Sequence, residues 1–146
     1  MKKTLLWLFV AITLSSYSQS ALDLNAKIPV SEDVKIGTLE NGLTYYIQNN
    51  KKPENKVELR LVVNAGSILE KESQRGLAHF MEHMNFNGTK NFKHNELVDY
   101  LQSIGVKFGQ HLNAYTSFDE TVYILPIPSE DPEKVEKGFD ILEDWA

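Results

Sequence analysis

One stretch decides how the chain is organised: Arg75-Gly76-Leu77-Ala78-His79-Phe80-Met81-Glu82-His83-Met84. It contains two histidines four residues apart, with a carboxylate immediately before the second. In a helix, this spacing places His79 and His83 one turn apart on a single face, and Glu82 borders that face. Two neutral imidazoles and a nearby carboxylate are what a zinc ion and its bound water require. The stretch therefore predicts a metal-binding helix.

The pattern His-x-x-Glu-His also indicates a reaction class. Both imidazoles can bind zinc while Glu82 stays free to accept a proton from the activated water, which predicts metal-assisted hydrolysis of a peptide bond. The alternative is an ordinary helix with incidental histidines, because a five-residue pattern also arises by chance. The apolar residues of the stretch favour the metal. We expect them to place His79 and His83 in a buried setting, where imidazoles need partners.

The segments around the motif have the patterns of β-strands. Asn41-Gly42 lies between two β-prone runs, which predicts a hairpin. The run that precedes the motif alternates at first and then becomes apolar at Leu61-Val62-Val63, which predicts a strand entering a buried setting. The two strands after the motif have a short connection and are therefore expected to be antiparallel neighbours. Strands are predicted at residues 35–39, 43–47, 57–65, 112–116 and 121–127.

Two further helices follow the motif. The first places Leu97, Leu101 and Ile104 on one face and ends at Gly105. The second begins with Asp131-Pro132, an N-cap followed by a proline that suits the first helical position. The order of elements predicts an α+β fold with a mainly antiparallel sheet and helices packed on one face. The apolar face of the last helix is predicted to contain Val135, Phe139, Leu142 and Trp145.

Composition limits the class of protein. The 146 residues, of which 42% are hydrophobic, are enough for one ordinary domain or part of a larger one. A net charge of -5 without a basic stripe predicts no nucleic-acid partner. The absence of cysteine excludes disulfides and thiolate metal sites, so a metal must be held by His, Asp or Glu.

The N-terminus has the pattern of a secretory signal peptide. Two lysines, an apolar run at Leu5–Leu14 and small residues at Ser16 and Ser18 predict export with cleavage before Gln19. The apolar run is too short to span a bilayer, which takes about 20 residues, so no stable membrane anchor is expected. The predicted segments are residues 1–18 (signal peptide), 19–33 (extended lead-in) and 34–146 (N-terminal part of a truncated peptidase domain).

Residues 76–90 extend the motif into a longer signature, Gly-Leu-Ala-His-Phe-Met-Glu-His-Met-Asn-Phe-Asn-Gly-Thr-Lys. Further matching runs are Asn41-Gly42-Leu43, Asn64-Ala65-Gly66-Ser67, Asn113-Ala114-Tyr115-Thr116-Ser117 and Glu120-Thr121-Val122-Tyr123. On these residues the chain closely resembles the pitrilysin/insulysin family of zinc peptidases, whose His-x-x-Glu-His order marks the inverzincins. The signal peptide and the Phe-Asn-Gly-Thr form resemble the exported bacterial branch, which implies a periplasmic protein.

The resemblance implies roles for five residues. His79 and His83 are implied as ligands of one Zn²⁺ ion and Glu82 as the general base. The strand at Asn113 and Ala114 is implied to bind a peptide or unfolded polypeptide by strand addition. The residues alone leave open an ordinary sheet strand with a polar side chain at Asn113. A non-catalytic peptide-binding or partner subunit of the same fold is the alternative function.

The family completes its zinc site with a glutamate on a later helix, which the resemblance places beyond Ala146. His94 and His111 are other candidates for a third ligand, without support from a motif. The family also works as two homologous halves, so a C-terminal half is an implied partner. By itself we expect this chain to bind zinc weakly and to be inactive, because catalytic zinc has three protein ligands. The available glutamates do not match the family's position: Glu96, Glu120, Glu130, Glu133, Glu136 and Glu143.

Overall fold

A computed structural model describes residues 23–107, 109 and 113–146. The chain divides into two compact units, one ending at Asn49 and the other beginning at Asn50. Residues 23–33 of the predicted lead-in are exposed. Within the described ranges, no helix is long and apolar enough to cross a membrane. The predicted signal peptide at residues 1–18 lies outside the described residues.

The first unit contains a β-hairpin. Strand β1 (Val34–Thr38) pairs antiparallel with β2 (Thr44–Gln48). In the turn, Gly42 has a φ of +89°, a left-handed conformation that suits a residue without a Cβ. The Asn41 side-chain oxygen accepts a hydrogen bond from the Leu43 N–H at 3.1 Å. The hairpin predicted from the Asn-Gly pair is confirmed.

The second unit is built on a three-stranded antiparallel sheet. It contains β3 (Lys56–Val63), β4 (Asn113–Thr116) and β5 (Thr121–Pro128), in the order β3-β5-β4. Strand β5 therefore lies in the centre, paired with both neighbours, and β4 forms one edge of the sheet. The antiparallel pairing of the two strands that follow the motif is confirmed.

Three helices belong to this unit: α1 (Leu77–Asn87), α2 (Glu96–Ser103) and α3 (Pro132–Trp145). Helix α3 begins as its sequence predicts, because the Asp131 carboxylate accepts the Glu133 N–H at 3.1 Å. After α2, Gly105 has a φ of +86°, the left-handed conformation typical of the residue that follows a helix. All three predicted helices are present.

The core lies between the helices and one face of the sheet. Alternate residues of β3 and β5 point toward the helices, so Leu59, Leu125 and Ile127 are buried together. Helix α3 packs so closely that a Cβ on Gly138 would lie 2.9 Å from Leu59 Cδ1. The α+β class with helices on one face is confirmed. The buried core residues are Leu59, Phe92, Leu97, Leu101, Val106, Tyr123, Leu125, Ile127, Ile141 and Trp145.

Two expectations about burial are wrong. Val62 is 52% exposed, because β3 keeps alternating to its end and the helices cover only one face of the sheet. Phe139 is 56% exposed, because the side of α3 that meets the sheet contains Gly138, Ile141 and Trp145. Because Gly138 has no side chain, α3 approaches the sheet most closely on the side that contains it. The spacing of apolar residues in the sequence does not reveal this.

Candidate metal and catalytic site

The N-terminus of α1 is held by a residue outside the helix. Gly76 precedes the helix with a φ of +87° and offers no side-chain cap. Instead, the Glu70 carboxylate accepts the N–H groups of Ala78 at 2.8 Å and Gly76 at 2.7 Å. The hydrogen bonds from Ala78 and then Gly76 lower the pKa of Glu70, because they favour its charged form. A remote carboxylate therefore fixes the start of the motif helix.

The two motif histidines lie one turn apart, as their spacing predicts. Their Nε2 atoms are 3.1 Å apart, with ring centroids at 4.7 Å and ring planes tilted by 48°. Two nitrogens on one tetrahedral zinc, each about 2.05 Å from the metal, would be about 3.3 Å apart. A shared N–H···N hydrogen bond has a similar separation. The pair of imidazoles therefore fits two adjacent zinc ligands without rearrangement of the helix.

The expectation that α1 would bury its histidines is wrong. His79 and His83 are both exposed. Helix α1 meets the sheet through a different side, on which Glu82 and Asn85 make hydrogen bonds and Phe86 contacts aromatic rings. Apart from Phe86, the large apolar side chains of the helix are not on this side. The exposed ones are Leu77, Phe80, Met81 and Met84.

Glu82 is the buried residue of α1, with 7% of its surface exposed. Its Oε2 atom accepts a hydrogen bond from the Thr116 hydroxyl of β4 at 2.7 Å. In the described part of the chain, every fully buried side-chain nitrogen or oxygen has a hydrogen-bond partner. Thr116 is the partner found for this carboxylate among those residues, so Oε1, which has no such partner, is not fully buried.

A cleft of about 450 Å³ opens beside the carboxylate. It is lined by His79 and Glu82 of α1, by residues 114–118, and by Ser67 and Glu70. The loop before α1 is joined to the turn after β4, because the Ser67 N–H donates to the Ser117 carbonyl at 3.1 Å. The cleft thus has a histidine, a carboxylate and a sheet edge on its walls.

The predicted substrate-binding residues lie on β4. Ala114 is half-buried and lines the cleft. Asn113 is exposed, and its side-chain oxygen accepts the N–H of Ala114 at 3.0 Å. Because β4 forms an edge of the sheet, no strand pairs with its outer side within the described residues.

No third zinc ligand accompanies the histidines in the described ranges. There, no group of three or more His, Cys, Asp or Glu side chains could hold a metal ion. His94 therefore does not complete the site, and His111 lies outside the described residues. The same result applies to Glu96, Glu120, Glu130, Glu133, Glu136 and Glu143.

The sequence patterns assign no role to Thr116 or Glu70. Thr116 was recognisable in one respect, because it lies two residues after Ala114 and therefore shares its face of β4. Glu70 carried no usable signal, since it lies six residues before Gly76 and short-range capping patterns do not extend that far. Both contacts exist only when distant or irregular segments have folded together.

Below the site, Asn85 ties α1 to the core. Its side-chain amide donates to the Tyr123 hydroxyl at 2.8 Å, and its backbone carbonyl accepts from Trp145 Nε1 at 3.0 Å. Tyr123 and Trp145 stack with ring centroids 5.1 Å apart. Burial raises the pKa of Tyr123, so its hydroxyl stays protonated. These contacts hold the polar side of α1 against the sheet.

The chain matches the family model described as Insulinase (Peptidase family M16) over residues 45–146. It is 38% identical over 145 residues to the protein named "Probable zinc protease PqqL" of Haemophilus influenzae, covering 99% of this chain and 16% of that protein. The protein of the same name in Escherichia coli is 39% identical over 121 residues, covering 83% of this chain and 13% of that protein.

A solved structure has the same fold. The crystal structure of the first half of the periplasmic protease PqqL from Escherichia coli matches with a TM-score of 0.78 and 39% identity. The match covers 82% of this chain and 26% of that chain. The present chain thus spans only 16% and 13% of the length of the two curated relatives.

Proposed function

Because the chain belongs to the insulinase family, peptidase family M16, we propose that the protein containing it is a zinc-dependent endopeptidase of peptides or unfolded polypeptides. One observation carries the proposal. The Nε2 atoms of His79 and His83 are 3.1 Å apart on the same helix as Glu82, whose carboxylate lines a cleft. The names of the relatives, both zinc proteases, support zinc as the metal.

We assign His79 and His83 as two zinc ligands and Glu82 as the general base. The chain has no cysteine, so its donors at this site are imidazole nitrogens, which suit zinc. When bound, zinc supplies a Lewis acid that polarises a carbonyl and lowers the pKa of a water molecule to about 7. Their exposure leaves both histidines accessible to a metal ion from solution.

The other steps belong to side chains of the cleft. Glu82 accepts a proton from the attacking water at Oε1, the oxygen that is not bonded to Thr116, while Thr116 holds Oε2. A substrate in extended conformation pairs with the edge of β4 at Asn113 and Ala114. The small side chain of Ala114 leaves space in the cleft for the substrate next to Glu82.

The site needs at least one further ligand, which we place in a segment outside this chain. The relatives are several times longer, and a glutamate on a later helix is the proposed donor. A second, homologous half is the proposed partner in substrate binding. The chain of 146 residues alone is therefore expected to bind zinc weakly and to cleave nothing, because two ligands are fewer than the three of catalytic zinc sites.

We place the protein in the periplasm. The Escherichia coli relative whose structure resembles this chain is described as a periplasmic protease. The sequence pattern of residues 1–18 supports the same compartment, since it predicts a cleaved signal peptide. N-terminal sequencing of the protein from a periplasmic extract tests this, and a mature N-terminus at Gln19 is the expected result.

The activity is tested on the full-length protein with an unfolded polypeptide as substrate. We expect about one zinc per active site and hydrolysis that falls by roughly 10²–10⁴-fold in Glu82→Gln. Zinc content is expected to stay unchanged, because Glu82 is not a ligand. Glu136→Gln on the exposed side of α3 is the matched control, with the same change of charge and no expected loss.

The outcomes separate the alternatives. Zinc binding without Glu82-dependent hydrolysis would contradict the peptidase and favour a non-catalytic peptide-binding or partner subunit. A full-length protein that binds no zinc would contradict both. Retention of peptide binding by the Glu82→Gln variant separates loss of chemistry from loss of the fold.

A further inference from the structure

We propose that Thr116 is a positioning residue, whose hydroxyl fixes the Glu82 carboxylate so that Oε1 faces the cleft. This inference rests on the proposed function, because it concerns the base of that reaction. It assigns a role to a residue of the sheet that has neither a metal-binding side chain nor an acid–base side chain of its own.

The first support is the geometry of the contact. The Thr116 hydroxyl donates to Glu82 Oε2 at 2.7 Å, the distance of a good hydrogen bond to a charged oxygen. A glutamate carboxylate otherwise rotates freely about its last bond, since that torsion is broad. One hydrogen bond to one oxygen therefore fixes the rotation of the carboxylate plane and, with it, the direction of the second oxygen.

The second support is the rigidity of the donor. Thr116 lies on β4 directly opposite Thr121 of β5, so its backbone is held in the sheet. A β-branched side chain has few rotamers, which keeps the hydroxyl in place. Thr116 has no other side-chain hydrogen bond in the described part of the chain. A group supported by a strand positions a catalytic residue better than one supported by a loop.

The third support is the position of Thr116 relative to the substrate strand. Ala114 and Thr116 point to the same side of β4, both half-buried and both lining the cleft. The strand that we propose to pair with the substrate is therefore also the strand that holds Glu82. The same four-residue strand therefore aligns a bound peptide and positions the Oε1 atom beside it.

Thr121 provides a matched control. It is the cross-strand partner of Thr116, and its hydroxyl donates to the Ala65 carbonyl at 2.9 Å. Thr121→Val thus removes one hydroxyl and one hydrogen bond from the same strand pair without touching Glu82. A purely structural role of Thr116 predicts equal effects of the two substitutions on catalysis.

The experiment compares Thr116→Val, Thr116→Ser and Thr121→Val in the full-length, zinc-loaded protein. Thr116→Val is expected to lower kcat by about 10- to 100-fold with KM and zinc content unchanged, since a small misplacement of a catalytic group has effects of this size. Thr116→Ser, which keeps the hydroxyl, is expected to restore most of kcat. Thr121→Val is expected to keep the kcat of the wild type.

One further measurement needs no turnover by the enzyme, and a double variant tests whether the two residues act together. In zinc-free protein, the infrared carboxylate band of Glu82, obtained by difference against Glu82→Gln, is expected to shift in Thr116→Val and to stay in place in Thr116→Ser. In kinetics, Thr116→Val is expected to add no further loss to Glu82→Gln, because the two residues act as one unit.

The results separate this inference from the proposed function. Wild-type protein without Glu82-dependent hydrolysis overturns the proposed function and the inference with it. Glu82-dependent hydrolysis with a wild-type kcat in Thr116→Val overturns the inference alone. Equal losses in Thr116→Val and Thr121→Val, or no rescue by serine, also overturn it, because a loss of stability then explains the effect.

Discussion

Helices α1 and α3 pack on the same face of one sheet in opposite ways. Helix α3 begins with its own cap at Asp131 and buries Ile141 and Trp145. Helix α1 begins without a side-chain cap of its own, and the one residue that it buries is Glu82. Most of its large apolar residues are exposed instead, and Phe86 is half-buried. The first helix thus contradicts the usual rule of burial, and the second follows it.

The difference indicates where function rather than stability has selected the sequence. A buried carboxylate is unfavourable unless hydrogen bonds compensate for its lost hydration, and Thr116 supplies one such bond. Local rules fail where a site requires particular groups in a particular place. In this molecule the exception is α1, the helix that contains the histidine pair and lines the cleft. Helix α3, which contributes no residue to the cleft, buries apolar side chains against the same face of the sheet.

The largest expected effect comes from replacing the buried polar contact between α1 and β4 by apolar side chains. The double substitution Glu82→Met with Thr116→Val should abolish hydrolysis, a loss of roughly 10²–10⁴-fold. The helix should keep its stability within about 1 kcal/mol, because both partners of a hydrogen bond are replaced by apolar groups of similar shape. Amide hydrogen exchange of residues 77–87 in the full-length protein measures the second quantity. A strong destabilisation would show that the carboxylate is needed for the fold.

The opposite result is expected in α3. Ile141→Ala removes a side chain that is 1% exposed and should lower the free energy of local unfolding by about 2–5 kcal/mol. The kcat of the molecules that remain folded should not change, since Ile141 lies outside the cleft. Hydrogen exchange of residues 132–145 and an active-site titration provide the two measurements. A fall in kcat per folded molecule would show that α3 contributes to catalysis and not only to stability.

A smaller effect is expected from the cap of α3. Asp131→Ala removes the acceptor of the Glu133 N–H and should cost about 1 kcal/mol of helix stability. Asp131→Asn, which keeps an oxygen acceptor, is the control and should lose only part of this helix stability. The exchange rates of the first-turn amides of α3 should rise in the alanine variant. Unchanged rates would contradict the assignment of Asp131 as the cap.

The smallest effect is expected from Glu70, which is partly exposed and therefore screened by solvent. Its hydrogen bonds from Ala78 and Gly76 lower its pKa from the ordinary value of 4.5. A carboxyl group whose pKa is lower in the folded than in the unfolded protein stabilises the folded state at pH values above the unfolded pKa. This stabilisation is lost as the pH falls through the folded pKa. Protection of the first α1 amides should therefore weaken below about pH 4.5 in the wild type.

Glu70→Gln should remove this part of the pH dependence, because an amide does not titrate. Glu72→Gln is the control, since it changes the same charge two residues along without a bond to α1. Hydrogen exchange of residues 77–80 between pH 3 and pH 6, corrected for intrinsic rates, tests the pair. Equal pH profiles for Glu70→Gln and the wild type would contradict the role of Glu70.

Most of the fold was predictable because its signals are local. The Asn41-Gly42 turn, the Asp131-Pro132 helix start and the alternation of β3 each specify a conformation through neighbouring residues. Phe139 was placed wrongly because a helical pattern identifies apolar positions but does not state which of them meets the sheet. That choice depended on Gly138, where the missing side chain lets α3 approach Leu59 and Ile127.

The pairing of the two histidines follows from local spacing alone, because an (i, i+4) separation in a helix brings two side chains together whatever the rest of the chain does. The exposure of the histidines and the burial of Glu82 come from packing, because the orientation of α1 depends on its contacts with the sheet. Packing also decided the partner of Glu82, since Thr116 is 34 residues away and meets the carboxylate only when β4 pairs with β5. Residue spacing thus determines the pairing of the histidines, and tertiary packing determines the burial of Glu82 and its contact with Thr116.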